Sequence, residues 1–291
     1  MKHKTVVSIV TPSFRQAQFI DKTLASVFQQ QGEFFLDYIV QDGGSEDGTK
    51  EILKRWEATF LTAPVVHNEQ QLLFRKSPEI GCLGLSFRWW SEKDGGQSEA
   101  INLGFSRAIG EWGGWLNSDD YFEVGAIERA RLFQGQRPRV VFGDCLCVDQ
   151  DGKPQGPQVF RSKYFTLYHI LYDRSPPQPS VFFPLDLYRQ VGELRADYHY
   201  ELDKDLWIRM LKTVKRFEHD NFFYSTQIYH PASKSMGGDR PFALFSTEHD
   251  AIHTREKQNL GWIRPWYELR SYAQKAIGKV RGLGRRLGVR S

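Results

Sequence analysis

The chain has 291 residues, 40% apolar and 25% charged, which is the composition of an ordinary globular protein with enough length for a large core. Its net charge of +4 is unevenly placed. Residues 270–291 hold seven basic residues and no acid, so the remainder has 32 basic against 35 acidic residues and carries no nucleic-acid-binding signature. No apolar run is long enough to cross a bilayer, and the run Val6-Val7-Ser8-Ile9-Val10 is too short for a signal-peptide core.

Residues 5–11 are β-branched and uninterrupted, which predicts a buried strand ended by Pro12. Residues 17–31 predict a helix, with Ile20, Leu24, Val27 and Phe28 on one face and Gly32 beyond its end. A second strand at 36–41 runs into Asp42-Gly43-Gly44-Ser45-Glu46-Asp47-Gly48-Thr49, and a helix is expected at 49–60. This β-α-β-α order argues for a parallel sheet covered on both faces. Residues 61–85 show no period and read as an irregular insertion. A strand at 85–91, a helix at 99–109, a strand at 111–116 and a helix at 124–133 follow. The character then changes. Residues 140–148 and 155–160 predict a hairpin, 176–183 a short strand, 202–211 a helix, 217–229 strand, and 243–258 a polar-faced helix.

The cysteines Cys82, Cys145 and Cys147 are odd in number and lack a C-x-x-C pair, as expected of free, packed thiols in a reducing compartment.

Four stretches carry chemistry. Trp115-Leu116-Asn117-Ser118-Asp119-Asp120 is a buried strand that stops at two carboxylates, where an open α/β sheet keeps its ligand crevice. Paired acids suit Mg²⁺ or Mn²⁺ on a diphosphate, and they also serve as turn or cap residues. The Asp42 to Thr49 turn lets a ligand approach its glycines closely, and Asp47 or Thr49 is equally suited to cap the next helix. It is neither a P-loop nor a G-x-G-x-x-G turn. Asp94-Gly95-Gly96-Gln97 precedes a helix. Asp94 can bind a base or ribose or begin that helix, and Asn102 within it is either a site residue or a satisfied core amide. Asp203 stands at a helix start, as N-cap or as general base.

In this order the motifs Val10-Thr11-Pro12-Ser13, Asp42 to Thr49, Ser91 to Gln97, Leu116 to Asp120 and Asp203-Lys204-Asp205-Leu206-Trp207 resemble the family-2 inverting glycosyltransferases, in the bacterial branch with a D-G-G-S-x-D-G-T loop. The resemblance implies a GT-A-type, Rossmann-like α/β fold: a mixed, mostly parallel sheet flanked by helices, with a smaller β-rich acceptor-side portion. Residues 1–260 would form the glycosyltransferase domain (1–135 the nucleotide-sugar half, 136–260 the acceptor half), followed by a basic appendage at 261–291.

It further implies that Thr11, Pro12, Asp42 and Asp94 line the nucleoside pocket and that Gln97, Asn117 and Ser118 lie beside the donor. Asp119 and Asp120 would reach a divalent metal, Mn or Mg, and the donor diphosphate. Asp203 would be the catalytic base, Gln178 and Pro179 would face the acceptor, and a late loop at 230–235 would close on the diphosphate. Acids from separate turns would thus surround one cation. Asn117 stands where the family often has Asp, so Asp120 would carry more of the metal's charge. Leu202 replaces a glutamate, which leaves Asp205 and Glu201 as alternatives to Asp203.

The implied reaction is inverting transfer of a sugar from a nucleotide donor, a UDP-sugar first, to a hydroxyl of a glycan or lipid-linked acceptor in cell-surface polysaccharide synthesis. No nucleic-acid partner is implied. The setting would be cytoplasmic, at the inner membrane face if residues 262–291, basic with Trp262, Trp266 and Tyr267 upstream, touch lipid rather than remain a solvated terminus. The rivals are a non-catalytic nucleotide- or glycan-binding protein and a nucleotidyltransferase. The latter usually has a glycine-rich first loop, which Pro12-Ser13-Phe14-Arg15 lacks.

Overall fold

The structure is a computed structural model that describes residues 5–133, 139–231, 233–234, 242–261, 265, 268–269 and 271. Strand β1 (Val6–Ser13) is buried along its whole length, and helix α1 (Ile20–Phe28) follows. Next come β2 (Gly32–Asp42), α2 (Thr49–Thr62), β3 (Val65–Glu69), β4 (Leu72–Arg75) and β5 (Cys82–Ser91). Helix α3 (Gln97–Ser106) leads to β6 (Trp112–Trp115), β7 (Tyr121–Phe122), α4 (Ala126–Arg131) and β8 (Val141–Asp149). The chain continues through β9 (Tyr164–Phe165), α5 (Leu167–Tyr172), a 3-10 turn (Gln178–Ser180), β10 (Val181–Pro184) and α6 (Leu185–Gln190). It ends in α7 (Leu202–Val214), β11 (Phe217–Tyr229) and α8 (Phe242–Asn259).

Among the described residues eleven strands join one sheet, ordered β3-β4-β5-β2-β1-β6-β10-β8-β11-β7, with β9 also on β11. Its centre is parallel: β5, β2, β1 and β6 run together. Strand β10 is antiparallel to both β6 and β8 and so joins the expected nucleotide half to the acceptor half. Alternation along β1 and β2 feeds two cores. Val10 and Ile39 pack with Ile101, Trp115, Phe183 and Trp207 on one face, while Ile9, Tyr38 and Val40 pack with Leu24 and Leu53 on the other.

Register decides where the crevice lies. Ser13 is opposite Asp42, Asp42 is opposite Ser91, and Val10 is opposite Trp115. The motif turns therefore leave the sheet side by side at its carboxyl edge.

Three expectations are corrected, and one of the two readings of Asn102 is favoured. Residues 61–85 are not irregular: β3 and β4 form a hairpin whose turn residues Gln70 and Gln71 both have positive φ, 49° and 67°. That is a two-residue turn without the Asn or Gly that normally signals one. The second arm of the 140–160 hairpin is reduced to isolated bridges, Cys145 to Gln158 and Val148 to Pro154. Pro154 and Pro157 cannot donate to a ladder. The 176–183 stretch begins as a 3-10 turn, and helices α5 and α6 lie where no element was expected. Asn102 is a core amide: it donates to the Leu194 carbonyl and accepts from the Leu194 N–H and the Tyr188 hydroxyl. The three cysteines are free and buried. Most of the appendage lies outside the described residues.

Candidate active site

A cavity of about 880 Å³ opens at the carboxyl edge of the parallel strands. The ends of β1, β2 and β5 build one wall, the 117–120 turn a second, and β11 with the segment after it a third.

The first wall is a held turn. Asp42 is fully buried, and its carboxylate accepts from the Gly44 and Ser45 N–H groups (3.2 and 2.8 Å) and from the Ser45 and Ser91 hydroxyls (both 2.6 Å). Gly44 sits at φ 84°, and Gly43 and Gly44 present backbone to the cavity. Asp47 receives the N–H and hydroxyl of Thr49 and the N–H of Ala17, which anchors the start of α2 behind the left-handed Gly48. Thr11 is also fully buried, 3.1 Å from the Tyr38 hydroxyl. Neither Thr11 nor Asp42, both expected to face a nucleoside, lines the cavity. Both side chains stand behind the wall and shape it, because their polar atoms are engaged within the fold. Pro12, Phe14, Arg15, Lys93 and Asp94 form the surface there. Asp94 accepts the Gly96 N–H at 2.9 Å, and its carboxyl is raised by burial and then by the neighbouring acids Glu99, Asp42 and Glu92.

The second wall carries Asn117, Ser118, Asp119 and Asp120. Thr23 of α1 holds this turn from below, its hydroxyl contacting the Ser118 and Asp120 carbonyls at 2.9 and 2.7 Å. Asp120 is 4% exposed and accepts the Ile228 N–H at 3.3 Å. Its carboxyl is pushed well above the usual carboxylate range, first by burial and then by the charge of Asp119. Asp119 sits 3.0 Å from Nε2 of His230, whose ring stacks on Phe19.

A chain of amides crosses the floor. Lys234 donates to Gln97 (2.8 Å), Gln97 to Asn117 (2.8 Å), Asn117 to Gln178 (2.9 Å), and Gln178 to the Trp115 carbonyl (3.0 Å). Asn117 also points its amide N–H toward Asp120 at 3.4 Å. It behaves as a connector, with a donor facing the acids. Lys234 is an exposed residue, but partial desolvation of its ammonium beside the cavity lowers its pKa against the pull of Glu248 and Asp119.

Asp203 is not on the cavity surface. It lies half-buried at the first turn of α7 and accepts the Lys204 N–H at 2.7 Å. Burial, then the charge of Glu201, raises its carboxyl to about 6. Asp205 is a poor alternative, because its buried carboxylate is bound by Arg209 at 2.7 Å and Arg255 at 2.9 Å. Glu201 is paired with Lys204 at 2.9 Å and with His249 at 3.3 Å. Of Asp42, Asp120 and Asp203, the acids expected to converge from separate turns, Asp120 alone lines the cavity, where Asp119 and Asp94 join it. The lining residues Phe14, Arg15, Lys93, Gln227 and Tyr229 were not read as site residues. Lys93 lies within the Ser91 to Gln97 motif but was given no role, and Gln227 and Tyr229 reach the cavity through the pairing of β11 with β8 and β7.

This arrangement of turns has counterparts elsewhere. The model of glycosyl transferase family 2 matches residues 8–76 and 84–186, more than half of the chain. TuaG of Bacillus subtilis (strain 168), a glycosyltransferase provisionally assigned to teichuronic acid biosynthesis, is 27% identical over 52% of this chain and 51% of its own. A PGL/p-HBAD biosynthesis glycosyltransferase of Mycobacterium bovis (strain BCG / Pasteur 1173P2) is 24% identical over 73% of each chain.

Among solved structures, residues 1–349 of Staphylococcus aureus TarS in complex with UDP-GlcNAc superpose with a TM-score of 0.64 at 17% identity, over 91% of this chain and 69% of that one. The mannosyltransferase PcManGT of Pyrobaculum calidifontis, in complex with GDP-Man and Mn²⁺, gives 0.51 at 14% identity, over 100% and 82%. The chain thus spans about half the length of TuaG, and it covers 41% of the longer TarS chain. Among the described residues no helix is long and apolar enough to cross a membrane. The GT-A-like sheet, the turns at its carboxyl edge and the family match over both halves of that edge lead to one conclusion: the chain belongs to glycosyl transferase family 2.

Proposed function

We propose that the protein transfers a sugar, with inversion, from a nucleoside diphosphate donor to a hydroxyl of a glycan or lipid-linked acceptor. A UDP-sugar is the first candidate donor. The observation that carries this reading is the pair Asp119 and Asp120 on one wall of an 880 Å³ cavity, with the Asp120 carboxyl driven upward by burial beside a second acid. A cation relieves that penalty.

The residues present fit a divalent metal of the Mn or Mg type. Such ions take one or two carboxylates and complete their shell from water and substrate phosphate. Among the described residues no set of three or more His, Cys, Asp or Glu side chains is arranged to hold a metal alone, so phosphate oxygens would be part of the site. When bound, the metal would supply Lewis-acid stabilisation of the leaving diphosphate. Lys234 adds a cation on the opposite wall. Pro12, Phe14 and Asp94 receive the nucleoside, and Gln97, Asn117 and Ser118 line the floor beneath the donor. Asp203 accepts the proton of the attacking hydroxyl, and attack from the face opposite the leaving group inverts the anomeric centre.

TarS bound to UDP-GlcNAc and PcManGT bound to GDP-Man and Mn²⁺ support the donor class. The teichuronic acid and PGL/p-HBAD biosynthesis named for these two relatives support a glycan or lipid-linked acceptor. Peripheral lipid contact by residues 262–291 rests on sequence alone. A thermal-shift panel of nucleotide sugars with and without Mn²⁺ tests the reading, followed by hydrolysis of whichever donor binds. Metal-dependent stabilisation by one donor is expected. No nucleotide sugar binding with Mn²⁺ present would overturn the assignment.

A further inference from the structure

Helix α7 receives no side-chain cap from its own N-cap residue, Glu201. The segment leading into it is held from a distant part of the chain instead. Glu248, on α8, is 6% exposed. One of its carboxylate oxygens accepts the N–H of His199 at 2.9 Å, and the other accepts those of Tyr200 (2.9 Å) and Glu201 (3.0 Å). Lys234 meets the same segment from the cavity side, donating to the His199 carbonyl at 3.3 Å. Two turns further along α8, Arg255 binds Asp205 at 2.9 Å and the Tyr198 hydroxyl at 3.2 Å, and Glu256 pairs with Lys212 at 2.6 Å. These contacts fix α8 along the flank of α7. The family match ends at residue 186, so the whole arrangement lies beyond it.

We propose that Glu248 is a positioning residue for Asp203, and that α8 is a working part of the transfer machinery. The inference rests on the reading of Asp203 as base. A carboxylate that takes three consecutive N–H groups fixes three peptide planes just ahead of α7. Those planes set where the first turn of α7, and with it the Asp203 carboxyl, points. Glu248 itself does not line the cavity. Its removal loosens the base while leaving the Asp119–Asp120 turn and the nucleoside wall in place, with only the longer-range pull on the Lys234 ammonium reduced, and a displacement of about 1 Å at a reacting group is enough to cost on the order of a hundredfold in rate.

The test compares Glu248→Gln, Glu256→Gln and Asp203→Asn in the full chain, with UDP-GlcNAc and GDP-mannose as donors and Mn²⁺ present. Glutamine has one acceptor oxygen and cannot serve both sides of the segment. Glu248→Gln is expected to lower kcat by ~10- to 100-fold with donor KM and UDP or GDP affinity within about twofold. Glu256→Gln, on the same helix but away from the 199–201 segment, is expected to lower Tm while keeping kcat. In the unmodified protein the amides of residues 199–201 should be protected in hydrogen exchange, and Glu248→Gln should release them. Should that variant not fold, Glu248→Asp, which keeps the charge but falls one methylene short, takes its place. Unchanged kcat in a folded Glu248 variant, or rapid exchange of those amides in the unmodified protein, overturns the inference. If Asp203→Asn keeps its turnover, the base assignment fails and this role fails with it. If Asp203→Asn is inactive and the Glu248 variant is not, only the positioning role falls.

Discussion

The indole rings of Trp115 and Trp207 stack with centroids 5.3 Å apart and planes inclined by 20°. Trp115 ends the strand that delivers Asn117 to Asp120, and Trp207 lies one helical turn after Asp203, on the same side of α7. This contact ties the acid turn to α7, the helix that carries Asp203. Trp207→Ala should therefore cost about 3–5 kcal/mol, measured by urea unfolding. In the folded fraction it should also lower turnover more than nucleotide affinity. Equal loss of both would mean that the stack supports the whole fold and does not orient α7.

Asp203→Asn should reduce kcat by at least about a hundredfold with donor binding preserved. The unmodified enzyme should gain kcat as pH rises through about 6, because the carboxyl must be ionised to accept a proton and burial holds its pKa there. The stability effect has the opposite sign. Between about pH 4 and pH 6 the unfolded chain releases this proton while the folded one keeps it, so the native state binds more protons and its stability falls as pH rises. Asp203→Asn should match the unmodified protein in Tm at about pH 4 and exceed it at about pH 7. A flat kcat profile across this range would place the base elsewhere.

Mn²⁺ should raise the Tm of the unmodified protein when nucleoside diphosphate is present, by about 2.7 kcal/mol of added stability at a hundredfold excess over Kd. Asp120→Asn should lose that response. Without metal it should be the more stable protein, since it no longer buries a carboxylate beside Asp119. Differential scanning calorimetry with and without EDTA reads both effects. A full Mn²⁺ response in Asp120→Asn would remove Asp120 from the metal site.

Asp42→Ala should be strongly destabilising, by about 2–4 kcal/mol, since two backbone N–H groups and two hydroxyls lose their common acceptor in a buried turn. Chemical denaturation measures this. A surface-like loss below about 0.5 kcal/mol would mean the turn is held by something other than its carboxylate.

Much of the fold could be read from local pattern. The β-branched run at β1, the apolar spacing of α1 and the strand-to-acid transition after Trp115 are short-range features, and each element formed, although β1 runs on through Pro12 to Ser13 rather than ending at Pro12 and α1 covers only Ile20–Phe28 of the expected 17–31. The β3–β4 hairpin was hidden because Gln70-Gln71 adopts a turn that other residues usually signal. At the site, Asn117 through Asp120 were legible because a strand end fixes which edge of the sheet they reach. The amide chain from Lys234 to Gln178 was not, since its members are up to 137 residues apart in sequence.

The sequence by itself determined the parallel centre of the sheet and the turns gathered at its carboxyl edge, because hydrophobic period and strand order follow from neighbouring residues. Tertiary structure decided which acids face the cavity. Asp42 turned inward once Ser45 and Ser91 offered it hydroxyls, Asp120 lines the cavity while almost wholly buried, and Glu248 came from α8 to hold the segment before Asp203. Hydrogen bonds between distant segments made these choices, and partners of that kind are set only when the chain has folded.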